Sequence, residues 1–253
     1  MRMLLLLLAF FTALPAMAEE VVLGLSQNRV SITANFDGSE ILIFGAVKRE
    51  TEIPTGHPLE VIIAIEGPSE HLTVRRKQKR FGIWVNTDKV DISKAPAFYA
   101  IVTSGPIDQV LSATENLRHR VSVPRAIRAV GATAQVENVE EFTEAVIRIR
   151  QKNSLYQLLE GAVTVEQQTL FRTSIALPSN VTEGEYKTRV FLTRGGKVIS
   201  HHETKIDVRK VGLERFLFNL SREKPLIYGL LSLAIAIAAG WGASAIFRIF
   251  RRD

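Results

Sequence analysis

Cysteine is absent from this sequence of 253 residues, and methionine, tryptophan and tyrosine are scarce. The absence of thiols excludes a disulfide scaffold, zinc or iron–sulfur ligation by sulfur, and a cysteine nucleophile. The chain also lacks a G-x-S-x-G nucleophile elbow and a phosphate-binding glycine loop ending in G-K-S/T. We therefore expect no catalytic, cofactor-binding or metal-binding residues and no cofactor, with an enzyme as the least favoured alternative.

Histidine, the commonest metal ligand among side chains, occurs at positions 57, 71, 119, 201 and 202. None of these histidines lies in an H-x-H or H-E-x-x-H spacing. His201 and His202 lie in a strand pattern, where neighbouring side chains point to opposite faces, so this pair cannot share one metal ion. A metal site assembled from distant parts of the chain is a less favoured alternative.

The first 18 residues have the pattern of a secretory signal peptide. Arg2 supplies a short positive segment, residues 4–14 form an apolar segment, and Ala16 and Ala18 fit an A-x-A cleavage site. The apolar segment is shorter than the ~20 residues that span a bilayer, which disfavours an uncleaved anchor. We expect cleavage after Ala18 and a mature chain that begins at Glu19.

Residues 225–247 contain no charged side chain and predict a transmembrane helix. At ~1.5 Å per residue the segment is about 34 Å long, which is enough to cross a hydrocarbon core. Arginines follow at positions 248, 251 and 252, so the tail is expected in the cytoplasm. Export then makes the chain a single-pass protein of the bacterial inner membrane, with its N-terminal domain in the periplasm.

Charge of one sign does not dominate the part of the chain that is expected to be exported. Residues 19–247 hold 28 lysines and arginines against 25 aspartates and glutamates, so half of the overall +6 belongs to the signal peptide and the tail. A balance of this kind gives no reason to expect nucleic-acid binding.

Short apolar segments punctuated by turn residues predict a β-domain in the first half of the chain. Residues 29–36 alternate between apolar and polar, and Asp37-Gly38 then predicts a hairpin turn before a strand over 41–47. Residues 59–65 are apolar except for Glu60, as expected of a strand buried on both faces. The spacing favours an immunoglobulin-like β-sandwich, with a small barrel as the alternative. Further strands are predicted over residues 72–74, 81–85 and 97–102.

Helical spacing replaces this pattern in the middle of the chain. Asn138 and Glu141 resemble a capping box, apolar residues then recur every three to four positions, and Gly161 is typical of a helix end. These signals predict a helix over 139–160, and a shorter helix after Pro106. Strand patterns return over 162–208, and they either complete the sandwich or form a small second β-domain.

The fold expected from these patterns is mainly β: an immunoglobulin-like sandwich with a helical insert, followed by one C-terminal transmembrane helix. The expected segments are a signal peptide (1–18), a β-sandwich (19–105), a helical insert (106–160), a second set of strands (161–210), a juxtamembrane amphipathic helix (211–224), the transmembrane helix (225–247) and a cytoplasmic tail (248–253).

Five positive charges within residues 75–80 form the sharpest local feature. Such a run could dock on anionic lipid headgroups or on an acidic partner. It could equally be a solvated edge-strand turn, where basic residues discourage edge pairing, and this second interpretation is favoured. The neighbouring Trp84 is expected in a sandwich core rather than at an interface.

Two further patterns bear on packing. Tyr186 follows Pro178 and Gly184 as in a tyrosine corner, where the hydroxyl bonds to upstream backbone; the alternative is a strand tyrosine favoured only by β-propensity. Small residues recur every fourth position along one face of the transmembrane segment, and such a seam favours close approach of another helix. These residues are Ser232, Ala236, Gly240 and Ser244.

Several stretches together carry a likeness to a known family: 29–33, 41–47 (Ile-Leu-Ile-Phe-Gly-Ala-Val), 74–77 (Val-Arg-Arg-Lys), 82–86 (Gly-Ile-Trp-Val-Asn), 98–99, 146–151, 169–178, 184–186 and 216–247. Through them the chain resembles an uncharacterised family of alphaproteobacterial transmembrane proteins. The resemblance implies an envelope protein with one C-terminal span, and it brings no established activity and no functional residues. It also suggests proximity to permeases of the sulfite-exporter type.

The function expected from the sequence is that of a non-catalytic accessory protein. One anchor and a small-residue seam favour association with another envelope protein such as a permease, through the 225–247 helix or the exported domain. The alternative is a periplasmic ligand- or metal-sensing module that acts through a membrane partner.

Overall fold

The computed structural model of the protein describes residues 19–32, 37–50, 52–128, 139–210 and 213–250. Within these ranges the chain is mainly β, with helices between the seventh and eighth strands and at the C-terminal end. The predicted signal peptide (1–18) and Asn138 of the predicted capping box lie outside the described residues.

The described strands are β1 (Glu20–Leu25), β2 (Arg29–Ile32), β3 (Gly38–Lys48), β4 (Glu60–Glu66), β5 (Ser69–Arg80), β6 (Ile83–Pro96), β7 (Tyr99–Thr103), β8 (Tyr156–Leu159), β9 (Thr164–Glu166), β10 (Leu170–Pro178), β11 (Gly184–Arg194) and β12 (Lys197–Lys210). The described helices are α1 (Ile107–Val110), α2 (Ala113–His119), α3 (Val123–Ala126), α4 (Val139–Lys152), α5 (Leu213–Glu223) and α6 (Pro225–Phe250).

The described strands form three sheets. A four-stranded sheet has the order β1-β3-β10-β9, a six-stranded sheet has the order β2-β12-β11-β4-β7-β8, and β5 pairs with β6 in a hairpin. β10 pairs with β3, and β11 pairs with β4, so both halves of the chain contribute to both larger sheets. β7 and β8 pair in parallel, because a helical crossover joins them.

β4 lies at the centre of the six-stranded sheet and is buried on both faces, as its continuous apolar sequence predicts. Its five central residues, from Val61 to Ile65, have no exposed surface. On one face, Ile62 and Ala64 join a core cluster to which the base of the β5–β6 hairpin, helices α1, α3 and α4 and the loops beside them contribute. The main contributors from those elements are Val90, Ile92, Val110, Leu111, Val121, Phe142 and Val146.

The hairpin turn predicted at Asp37-Gly38 is wrong. β2 belongs to the six-stranded sheet, whereas β3 pairs with β1 and β10 in the four-stranded sheet. Gly38 has a φ of 123°, and a Cβ added there would lie 2.8 Å from the carbonyl oxygen of Leu177. The glycine therefore permits close approach to β10, and its sequence signal says nothing about which strands pair.

The helix predicted over residues 139–160 ends early. α4 ends at Lys152, Ser154 adopts a left-handed φ of 58°, and residues 156–159 form β8. Tyr156 has helical spacing in the sequence, yet it pairs with Tyr99, and its hydroxyl donates a 2.8 Å hydrogen bond to the Pro96 carbonyl. Pairing with β7 thus overrides the helical spacing of the sequence, because it supplies hydrogen-bond partners for the backbone of residues 156–159 and buries the ring of Tyr156. The shorter helix predicted after Pro106 is α1.

The predicted tyrosine corner is confirmed. Tyr186 lies at the beginning of β11 with its ring buried, and its hydroxyl donates a 2.7 Å hydrogen bond to the carbonyl of Thr182. The Tyr186 and Phe98 ring centroids are 5.9 Å apart. The bond fixes the loop between β10 and β11 against the strand that it enters.

The chain divides into two compact units, with nearly all of the described residues up to Val208 in one and the C-terminal helices in the other. In the second unit, the predicted amphipathic helix is α5. It is followed by α6, whose window Pro225–Ser244 is long and apolar enough to cross a membrane and is not buried within the protein. An exposed apolar helix of this length is typical of a membrane-spanning segment.

Candidate functional site

The outer half of the β5–β6 hairpin projects beyond the core. Val90 and Ile92 at its base are buried, whereas nearly every side chain from Lys77 to Asn86 is exposed. We call residues 77–86 the hairpin tip. From Lys77 to Phe81 the strand extends about 14 Å at ~3.4 Å per residue.

The turn of the hairpin tip presents apolar side chains to solvent. Phe81 and Gly82 have φ angles of 49° and 86°, the two positive values that a tight two-residue hairpin turn requires. Phe81 is fully exposed, Ile83 is 65% exposed and Trp84 is 68% exposed. The expectation of a core position for Trp84 is therefore wrong, because the hairpin carries this residue past the last layer of packed side chains.

The basic run lies along β5, and its members have different surroundings. Arg75 lies directly opposite Lys89 in the register, a like-charge pair that weakens strand association. Lys77, Lys79 and Arg80 are exposed, and the hairpin tip carries these three positive charges with no acidic residue. The hairpin tip thus carries an unbalanced positive surface charge.

Arg76 is held against α4. Its guanidinium donates a 2.5 Å hydrogen bond to Glu141 and lies 4.8 Å from the ring centroid of Phe142. A groove of about 690 Å³ lies here between the hairpin and α4, and residues from Val74 to Lys77 line one wall. The pairing of β5 with β6 is irregular between Arg76 and Lys77. The part of β5 that contacts α4 therefore ends where the hairpin tip begins.

A second exposed surface lies on the outer face of the four-stranded sheet. Val22, Leu42, Phe44 and Leu170 are each about half exposed there, and we call these four residues the apolar sheet face. In the register Ala46 lies beside both Val22 and Leu170, which makes the surface continuous across three strands. A shallow groove of about 500 Å³ crosses it. Contiguous apolar patches of this kind mark interaction sites, whereas single exposed apolar residues do not.

Glycine shapes the apolar sheet face. A Cβ added at Gly24 would lie 2.4 Å from the ring of Phe44, so the ring lies flat over the neighbouring strand only because that residue has no side chain. On the inner face Gly45 plays the same part for Phe171, with a separation of 2.4 Å. The outer phenylalanine is thereby pressed onto the sheet rather than extended into water.

The histidines do not assemble a metal site among the residues that the structure describes. His119 and His201 have ring centroids 5.9 Å apart, and Nε2 of His119 lies 3.3 Å from Glu115. Burial lowers the pKa of His119 below its usual range, against the opposing charge of Glu115. His201 and His202 are adjacent in β12, where their side chains alternate between faces, as predicted.

A nearly buried ion cluster joins the first described residue to the rest of the domain. Glu19 Oε1 accepts hydrogen bonds from Arg49 Nε at 2.6 Å and from Arg194 Nη2 at 3.0 Å. Burial alone would raise the pKa of Glu19, but the hydrogen bonds and charges of Arg194 and Arg49 lower it overall. Each charge in the cluster has a partner, as a structural cluster requires.

Sequence reasoning singled out the basic run and missed the apolar sheet face. No catalytic, cofactor-binding or metal-binding residue was predicted, so none is there to be placed. The residues of the apolar sheet face are ordinary alternating strand residues, and only the sheet order tells which alternate set faces solvent. The one local signal in the sequence is Gly45 directly after Phe44, since Gly24 meets Phe44 only through the pairing of β1 with β3.

Comparison with known families gives one match, over residues 20–249, to the model of the Alph_Pro_TM family, which is described as "Putative transmembrane protein". A search among curated proteins gives no match.

Proposed function

We propose, from the premise that the chain belongs to this transmembrane-protein family, that it is a non-catalytic accessory protein of the bacterial inner membrane. Residues 19–224 lie in the periplasm, one helix crosses the membrane, and the C-terminus lies in the cytoplasm. The orientation is supported by the signal-peptide pattern of residues 1–18 and by the arginines that follow the apolar segment.

The observation that carries the proposal is the apolar sheet face. Val22, Phe44 and Leu170 form a continuous surface on the outside of a sheet whose other face is buried. A shallow, open surface of this kind suits a protein partner, which can cover it, better than a small ligand, which needs a concave site. The partner is another envelope membrane protein, such as a permease, since the anchor confines the domain to a membrane.

The transmembrane helix offers a second contact with the same partner. Ser232, Ala236 and Gly240 recur on one face of α6, and no part of its apolar window is buried by the rest of the described chain. Small residues allow another helix to approach closely. If one partner binds both the apolar sheet face and α6, each contact would raise the effective concentration of the partner at the other surface.

The sheets suggest an immunoglobulin-like sandwich for the domain. The tyrosine corner at Tyr186 is typical of such folds. Ile41, Ile43 and Phe171 form a buried face on the four-stranded sheet, and β4 has a second buried face beyond the core cluster. Packing these two faces together accounts for the burial of both.

Purification of the full chain in mild detergent tests the proposed function. Leu170→Ser should abolish recovery of a stoichiometric membrane partner, whereas Leu117→Ser on α2 should retain it, because both leucines are 53% exposed and only Leu170 lies on the apolar sheet face. Phe44→Ser should behave like Leu170→Ser. Recovery of the wild-type chain alone, or equal effects of the two leucine substitutions, would contradict the proposal.

A periplasmic binding module is the second candidate, and the groove beside Arg76 favours it. Four cations, Arg75, Arg76, Lys77 and Arg148, line that groove against the two carboxylates of Glu141 and Glu144. This net positive lining favours a small anion as the ligand. Thermal unfolding with inorganic phosphate or sulfate distinguishes the two functions. A saturable rise in Tm that Arg148→Ser removes would support the binding module, and an unchanged Tm would count against it.

A further inference from the structure

We propose that the hairpin tip, residues 77–86, inserts into the surface of an anionic lipid bilayer. The inference does not depend on the protein partner of the apolar sheet face, because it concerns a different sheet and different side chains. It requires only that the chain is held at a membrane. Three observations carry it: the exposed apolar turn, the unbalanced charge and the shape of the hairpin.

The exposed turn combines side chains that favour a bilayer interface. Phe81 at the very end is fully exposed, and Ile83 and Trp84 follow it with about two thirds of their surface exposed. Nothing in the described part of the chain covers them. Aromatic rings with an apolar body gain by burial at the level of the lipid headgroups, and tryptophan is enriched there. A tight turn is narrow enough to enter between headgroups.

The charge of the hairpin tip matches the same surface. Lys77, Lys79 and Arg80 lie within four residues of the turn, and among the described residues no carboxylate forms an ion pair with them. Lys79 lies opposite Trp84, and Arg80 lies opposite Ile83, so these two cations adjoin apolar side chains. Cations next to an aromatic turn can contact lipid phosphates while the ring enters the apolar layer.

The shape of the hairpin favours lipid over an acidic protein surface. The hairpin tip is a wedge with the fully exposed Phe81 at its end and cations behind it. A protein interface normally places polar residues at the rim of a flat apolar centre. The spanning helix in the same chain also keeps the domain at a high local concentration near lipid.

Charge repulsion within β5 and β6 supports a functional origin of the basic run. Arg75 lies opposite Lys89, a like-charge pair that weakens a hairpin, while the neighbouring Arg76 lies opposite Asp88. A row of cations that extends to an exposed aromatic turn is therefore better explained by an anionic surface outside the protein.

Fluorescence of Trp84 in the full chain tests the proposal directly. Trp241→Phe leaves Trp84 as the sole tryptophan. The protein is reconstituted in nanodiscs of phosphatidylcholine alone, or of phosphatidylcholine with phosphatidylglycerol, each with and without brominated acyl chains. We expect blue-shifted emission and quenching by brominated lipid in the anionic nanodiscs at low salt, and water-exposed emission in the neutral ones.

Charge variants separate a specific hairpin effect from general attraction. Each basic residue near an anionic surface changes membrane partitioning about fivefold, so loss of three should reduce the inserted-to-free ratio about a hundredfold. Lys77→Ser/Lys79→Ser/Arg80→Ser should therefore abolish quenching. The matched control, Arg125→Ser/Lys152→Ser/Lys197→Ser, removes the same charge from other exposed positions and should leave quenching unchanged.

Two results would overturn the proposal. Trp84 that stays accessible to aqueous iodide in anionic nanodiscs would show that the hairpin tip does not insert. Protection of Trp84 only when a co-purified protein is present would assign the hairpin tip to an acidic protein surface instead. Neither result bears on the leucine substitutions at the apolar sheet face, so the two proposals fail independently.

Discussion

Substitution of Glu19 by glutamine should destabilise the domain, because it removes the negative charge from a nearly buried cluster. The side chains of Glu19, Arg49 and Arg194 are 9%, 8% and 12% exposed. Glu19→Gln preserves the shape of the residue but leaves two guanidinium groups without their shared carboxylate. The removal of one partner from a buried ion pair typically costs about 3–5 kcal/mol.

The expected loss is smaller than that figure, since both arginines keep other acceptors. Arg49 also donates to the hydroxyl of Thr169 at 3.1 Å, and Arg194 also donates to the carbonyl of His57 at 2.8 Å. The glutamine carbonyl can still accept one hydrogen bond. We therefore expect a decrease of about 2–3 kcal/mol in the free energy of unfolding.

A neighbouring carboxylate supplies the control. Glu20 lies 4.0 Å from Lys48, and both side chains are largely exposed. Glu20→Gln should change stability by less than about 0.5 kcal/mol. Urea unfolding of the full chain in detergent micelles, followed by far-ultraviolet circular dichroism, measures both. Tryptophan fluorescence is unsuitable, since Trp84 and Trp241 are both exposed.

The pH dependence provides a second check on the same cluster. The pKa of Glu19 is lowered in the folded protein from its ordinary 4.5, because the two arginines outweigh the effect of burial. A lowered pKa stabilises the fold above pH 4.5, and this contribution disappears as the pH falls through the folded value. The stability difference between wild type and Glu19→Gln should therefore narrow in acid. Equal stability of the Glu19 and Glu20 variants at neutral pH would refute the reasoning.

Three other outcomes are expected. Tyr186→Phe loses one hydrogen bond and should lower the free energy of unfolding by about 1 kcal/mol. Tyr99→Phe should lower it further, because the Tyr99 hydroxyl also accepts a 3.0 Å hydrogen bond from Arg189. Urea unfolding measures both variants, and the reverse order would contradict this prediction. Burial lowers the pKa of His119 below 6.5 in the folded protein, despite a neighbouring carboxylate. The free energy of unfolding should therefore decrease as the pH falls from 6.5 through the pKa of His119 in the folded protein. His119→Asn should flatten that slope in thermal unfolding between pH 7 and 5, and an unchanged slope would exclude this residue as its source. A reporter fused after Asp253 should be active in the cytoplasm, while protease added to spheroplasts should digest the domain; the opposite pattern would invert the proposed topology.

The sequence predicts local structure well where a single requirement, such as burial or membrane length, decides the residues of a segment. Residues 61–65 are apolar at every position, a pattern typical of a short strand buried on both faces. Tyr186 occurs in the corner context that predicts its hydrogen bond. The apolar segment after Lys224 is long enough and uncharged enough to require a membrane-length helix.

Predictions that depended on which segments meet were less successful. Asp37-Gly38 is a turn signal, but its flanking strands pair with different sheets. Tyr156 fits a helix by spacing, and only the free edge of β7 makes residues 156–159 a strand. Trp84 has the composition of a core residue, and only the length of the paired hairpin carries it into solvent.

The sequence by itself determined the mainly β composition, the apolar C-terminal helix and the position of the basic run, because these follow from period, length and charge along the chain. Only the tertiary structure decided which surfaces are exposed. The apolar sheet face consists of alternate residues that the sequence cannot assign to core or solvent, since a strand has two faces and the sheet order selects one. The hairpin tip became a candidate wedge only when Phe81, Ile83 and Trp84 proved to lie beyond the core.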